Sequence, residues 1–97
     1  MDTLTLETAK TVAQELNIAE EDVLKRGLSA LVERELRAVK AEIFEITGRC
    51  DVSSAEEMEA RYKDGSLEEA DSWRDLQRLD HLEYRRDRLS ELLETIG

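Results

Sequence analysis

A chain of 97 residues is long enough for one small domain whose own core supplies a narrow margin of stability, so a partner or a second copy is a natural source of the rest. Charged residues make up 39% of it, aromatics only 4%, and proline is absent, which excludes a conventional α/β core and favours long, exposed helices in an all-α fold. The formal net charge of −10 argues against nucleic acid as a ligand and for a basic protein partner.

The excess charge is uneven: −2 over residues 1–17, −1 over 18–49, −6 over 50–72 and −1 over 73–97. Most of it therefore sits in "DVSSAEEMEARYKDGSLEEAD" and its flanks, a segment that serves either as a solvated face or as an attractant for basic protein. A lone Cys50 leaves no intramolecular disulfide, and no apolar run approaches the ~20 residues of a membrane span. The N-terminus also lacks the basic and apolar blocks of a secretory signal, so a cytoplasmic location is expected.

Residues 2–7, "DTLTLE", alternate apolar and polar and fit a short strand, or equally the start of a helix that continues through Ala9, Val12, Ala13 and Leu16. Asn17 stops that helix and, with Glu20, is placed to cap the next. From Ala19 onward a single helix of roughly 30 residues, about 45 Å long, is expected. Leu28, Val32, Leu36, Val39, Ile43 and Ile46 form its seam, stepping by four and then alternately by four and three. Gly27 costs about 1 kcal/mol there relative to alanine, so it marks either a close helix crossing or a tolerated glycine.

Gly48 is expected to end the long helix. Ser53 or Ser54 then opens a short one, with Glu56 or Glu57 completing a capping box, Val52 packing on Met58, and Tyr62 on the same apolar face. "KDGS" breaks it, Ser66 with Glu69 and Ser72 with Asp75 offer two further possible starts, and the last helix is expected from about Ser72 to Thr95. Leu79, Leu82, Arg86, Leu89, Leu93 and Ile96 form a second heptad seam, in which Arg86 is a polar residue of the type that fixes register. The two seams are expected to pack antiparallel, as a hairpin within the chain or across a dimer.

Catalytic chemistry finds little support. His81 has Tyr84 and Arg85 where a helical metal site would place its second ligand. Cys50 follows a helix C-terminus, which raises a thiol pKa, and no histidine stands ready to activate it. Carboxylates such as Glu42 and Glu45 share a helical face rather than a pocket, and no glycine-rich phosphate loop is present. The reading is a non-enzyme with no cofactor and no metal. Trp73, Tyr62, Tyr84 and the arginines beside them are the residue types that dominate interface hot spots, although Trp73 and Leu76 are expected to belong to the core of the free fold.

The stretch "LTLETAKTVAQELNIAEEDVLKRGLSALVERELR" resembles the ribbon-helix-helix antitoxins: a short alternating strand, a helix ending in "ELNI", a tight turn and a second helix. The continuation "AEIFEITGRCDVSSAEEMEARYKDGSLEEADSWRDLQRLDHLE" is similar to small prokaryotic proteins of archaea and cyanobacteria often read as the antitoxin of a toxin-antitoxin pair, with Cys50 and Asp51 standing where a Tyr-Gly is expected. The resemblance implies a dimeric antitoxin. Residues 1–49 would be a dimerising region running into a long helix, and residues 50–97 an acidic segment and C-terminal helix that block a basic toxin, often a ribonuclease. In such a fold Thr3 and Thr5 would read bases from the strand. Glu20, Glu21 and Asp22 would then face phosphate, and Lys10, Lys25 and Arg26 are too few to offset them, which argues against operator binding by this chain alone.

Three functions follow as expectations. In the first, an antitoxin-like binding protein uses Met58, Tyr62, Trp73, Leu76, Leu79 and Tyr84 as contacts to a basic partner. In the second, a self-associating helical hairpin or coiled-coil adaptor satisfies its seams with its own copies. The third, a small transcriptional regulator, lacks a basic surface in the sequence.

Overall fold

Helical spacing, rather than alternation, governs the N-terminus. In the computed structural model, which describes residues 2–67 and 69–97 and the side chains of these other than 69–72, Thr3–Leu16 form helix α1. Asp2 caps it, its Oδ1 accepting the Thr5 N–H at 2.7 Å. The short strand expected over residues 2–7 is therefore replaced by a helix. A lone strand would have left its backbone groups unpaired, whereas the cap and the first turn satisfy them. α1 ends at Asn17, which takes the left-handed conformation (φ 55°, ψ 50°) and sends its N–H back to Ala13 and Gln14.

α2 spans Glu20–Cys50. Its N-cap is Ala19, with no side-chain cap, so Asn17 closes α1 but does not open α2. Glu20, Glu21 and Asp22 sit in the first turn, where their charges favour the positive end of the helix dipole. The helix runs through Gly48 and stops only at Asp51, which adopts φ 53°, ψ 50°. Aspartate tolerates this left-handed conformation better than most residues, and the Val52 N–H closes the turn on the Thr47 carbonyl.

α3, Ala55–Lys63, is opened by Ser54, whose hydroxyl accepts the Glu57 N–H at 3.1 Å. Glu57 reaches back to take the N–H at 2.7 Å and the hydroxyl of Ser53, one residue before the cap, so the expected capping box forms with its return bond displaced by one residue. The Ser53 groups hold the Glu57 carboxyl below the usual range. Asp64 and Gly65 (φ 81°) form the turn that follows, and α4 runs from Glu69 to Ile96. The last helix thus starts three residues before the Ser72 expected for it.

α2 and α4 pack lengthwise as the main contact of the fold. Their direction is fixed by three ion pairs: Arg49 with Asp75 at 2.6 Å, Glu42 with Arg78, and Glu35 with Arg85 at 3.7 Å. Partners ascend in α4 as they descend in α2, so the hairpin is antiparallel. Arg86, by contrast, pairs with its neighbour Asp87 and does not cross to α2, so register rests on the other arginines. Leu36, Val39 and Ile46 of the first seam are buried, Val32 and Ile43 are half-buried, and Leu28 is 44% exposed, turned toward a groove between α1 and α2.

Val39, Ile46, Val52, Ala55, Met58, Leu76, Leu79 and Leu82 form one core to which α2, α3 and α4 all contribute. Residues 1–49 and 50–97 thus share a core. The molecule measures 60 × 21 × 18 Å, and its radius of gyration of 19.6 Å far exceeds the ~13 Å of a compact domain of this length. Two long helices with one short helix at one end cannot enclose a spherical core, which leaves the opposite end thinly covered.

Candidate protein-interaction surface

The end of the hairpin that carries α3 holds the acidic segment. Arg61 of α3 donates to the Asp51 carbonyl at 2.6 Å, and Glu83 of α4 accepts the Ala55 N–H at 3.0 Å. One contact ties α3 to the end of α2; the other satisfies an unpaired donor of its first turn from across the molecule. Val52 and Met58 meet in the core beneath, as their spacing suggested.

These ties hold α3 beside α4 and leave a cleft of about 400 Å³ between them. Its walls include Glu56 and Glu59 from α3 and Trp73, Gln77, Asp80 and Glu83 from α4, over a floor containing Ala55 and Leu76. Glu59 pairs with Lys63 at 3.3 Å, while Glu56 and Asp80 make no ion pair among the described residues. Trp73 is 49% exposed, and its ring lies 5.9 Å from that of Tyr62, tilted by 47°. Four carboxylates and an accessible indole in a concave site suit an arginine or lysine side chain, by charge and by cation–π attraction.

The six residues expected to contact a partner divide sharply. Met58 and Leu79 are fully buried and Leu76 nearly so; the free protein holds all three in its core, where they support the cleft from below. Trp73 and Tyr84 are exposed and Tyr62 is half-buried. Trp73, expected in the core, instead stands half exposed where α4 borders the cleft. Tyr84, eleven residues further along α4, lies on the same helical face about 16 Å away, so Trp73, Gln77, Asp80 and Tyr84 form one stripe leading out of the cleft. Sequence reasoning missed the cleft carboxylates Glu56, Glu59, Asp80 and Glu83. Their three-residue spacing on two helices carried the signal, but which helices would meet there was not legible.

The remaining candidates are dispersed. Cys50 is half-buried beside Asp75, its Sγ 3.6 Å from the carboxylate, and burial with that negative neighbour pushes the thiol above its ordinary pKa, away from the nucleophilic form. His81 is exposed on α4. Thr3 and Thr5 lie in the first turn of α1 rather than on a groove-reading strand. The acidic residues 68, 69 and 71, part of the segment's charge, fall outside the side chains described. Among the described residues, no helix is long and apolar enough to cross a membrane. The family model of the Uncharacterized protein MJ0235 family matches residues 1–97, the whole chain. No curated protein and no solved structure matches it.

Proposed function

We propose that this chain, which belongs to the Uncharacterized protein MJ0235 family, is a non-catalytic binding protein whose acidic α3–α4 face engages a basic protein. The observation that carries this reading is the cleft between α3 and α4, lined by Glu56, Glu59, Asp80 and Glu83 together with the exposed Trp73. A basic side chain entering it meets carboxylates on two walls and an aromatic face, while the net charge of −10 speeds encounter at low salt. Neutralisation of a basic toxin, the role implied by the resemblance of the sequence to antitoxins, is the specific form of this function we favour. In that form the cleft receives a cationic residue of the toxin and the Trp73–Tyr84 stripe covers adjoining surface.

Trp73 is the only tryptophan, so its fluorescence reports on the cleft directly. Full-length chain is immobilised, basic proteins retained from the source cell are identified, and each is purified and titrated against free chain. The reading expects a saturable change in Trp73 emission that weakens as salt is raised. Retained proteins that leave Trp73 emission unchanged would refute it.

A further inference from the structure

At the end of the molecule away from α3, Leu4, Leu6 and Val12 of α1 face Leu24, Leu28 and Leu31 of α2 across a groove of about 880 Å³. Each of the six is exposed, from 37% for Val12 to 73% for Leu4. Together they line a groove that is mostly apolar, the kind of exposed patch that marks an interaction site. The groove exists because α1 touches α2 chiefly near the turn: Ala13 is its one buried residue, and exposure rises toward Leu4. Gly27 lies in the same groove, with nothing within 4 Å of the position a Cβ would occupy. No contact within the chain requires a glycine there, yet its bare backbone allows a foreign helix to approach closely.

We infer that this groove is an interface between two copies of the chain, closed by the same groove of a second molecule in a two-fold dimer. A stable interface of standard size buries ~800 Å² per partner, so contacts along both rims of the groove join those of the six side chains. The walls also carry opposite charges, Lys10 on α1 and Glu20 and Glu21 on α2. In an isologous contact that lays α1 of one copy on α2 of the other, Lys10 meets the acidic wall twice, once in each direction. A basic partner gains little from a groove that is mostly apolar and carries a cation of its own. An anionic membrane is disfavoured too: Lys10 is the only basic residue on α1, whereas helices that lie on such surfaces carry several.

The test is the mass of the full-length chain by sedimentation equilibrium over a wide concentration range. A dimer of twice 11.1 kDa is expected for the wild type. The double variant Leu24→Asp/Leu28→Asp should sediment as a monomer with unchanged helical circular dichroism, because both side chains are about half exposed in the single chain. Lys10→Glu should raise the dissociation constant about tenfold, and adding Glu20→Lys should restore much of it. A monomeric wild type at the highest concentration, or a Leu24→Asp/Leu28→Asp protein that remains dimeric, overturns the inference. Neither result bears on the acidic cleft, which is built from α3 and α4.

Discussion

Replacing Leu79 by alanine tests the core assignment at its centre. The side chain is fully buried in the one cluster shared by α2, α3 and α4, so truncation removes its transfer free energy and leaves a cavity between elements that are held apart by their other contacts. Leucine-to-alanine changes at such sites cost about 2–5 kcal/mol, and a middle value of about 3 kcal/mol is a large part of the ~5–15 kcal/mol stability of a domain this size. It corresponds to a fall in Tm on the order of 15 °C. Phe44→Ala is the matched control, since Phe44 is larger but 79% exposed on the outer face of α2. Its truncation should change stability by no more than about 0.5 kcal/mol, helped by the better helix propensity of alanine. Urea and thermal denaturation at one fixed dilute concentration measure both variants. Equal losses for the two, or an unchanged midpoint for Leu79→Ala, would refute the packing described.

Gly48→Ala should stabilise the protein by about 0.5–1 kcal/mol in the same denaturation assay, because Gly48 lies inside α2 with open space where its Cβ would stand. Acid should weaken the hairpin through Glu42, whose carboxyl is held below its usual range by hydrogen bonds from Arg78. A depressed folded pKa contributes stability that is complete above the unfolded value of about 4.3 and is lost as pH falls through the folded value. Glu42→Gln should therefore flatten the acid limb of a plot of midpoint against pH; an unaltered limb would show that the pair adds nothing. Trp73→Ala should leave the helical signal intact and weaken binding of the basic partner by about 2 kcal/mol, as judged by titration calorimetry. Loss of the fold instead would make Trp73 a structural residue.

The seams were legible because burial follows heptad spacing wherever two long helices meet: Leu36, Val39 and Ile46 are all buried, the last two in one core with Leu79 and Leu82. Leu28 obeyed the same spacing yet faces the α1–α2 groove, since spacing specifies a stripe on a helix but not which neighbour covers it. At the N-terminus, the two readings of "DTLTLE" differed only in what would satisfy the backbone, and the Asp2 cap decided between them. Asp51 rather than Gly48 ends α2 because the stop is set by the αL turn that Val52 and Thr47 close, a contact invisible in propensity. The cleft depended on how far α3 covers α4. Its length was suggested by Ser54 and Gly65, whereas its placement came from the tertiary contacts of Arg61 and Glu83.

If the carboxylates of the α3–α4 cleft recognise a basic protein, reversing their charge should abolish that recognition. Immobilised wild-type chain and a Glu56→Lys/Asp80→Lys variant of unchanged helical content are exposed to the same source-cell extract, and the retained proteins are compared. The wild type should retain a basic protein that the variant loses. The same basic protein retained equally by both, or no basic protein retained by the wild type, would contradict it.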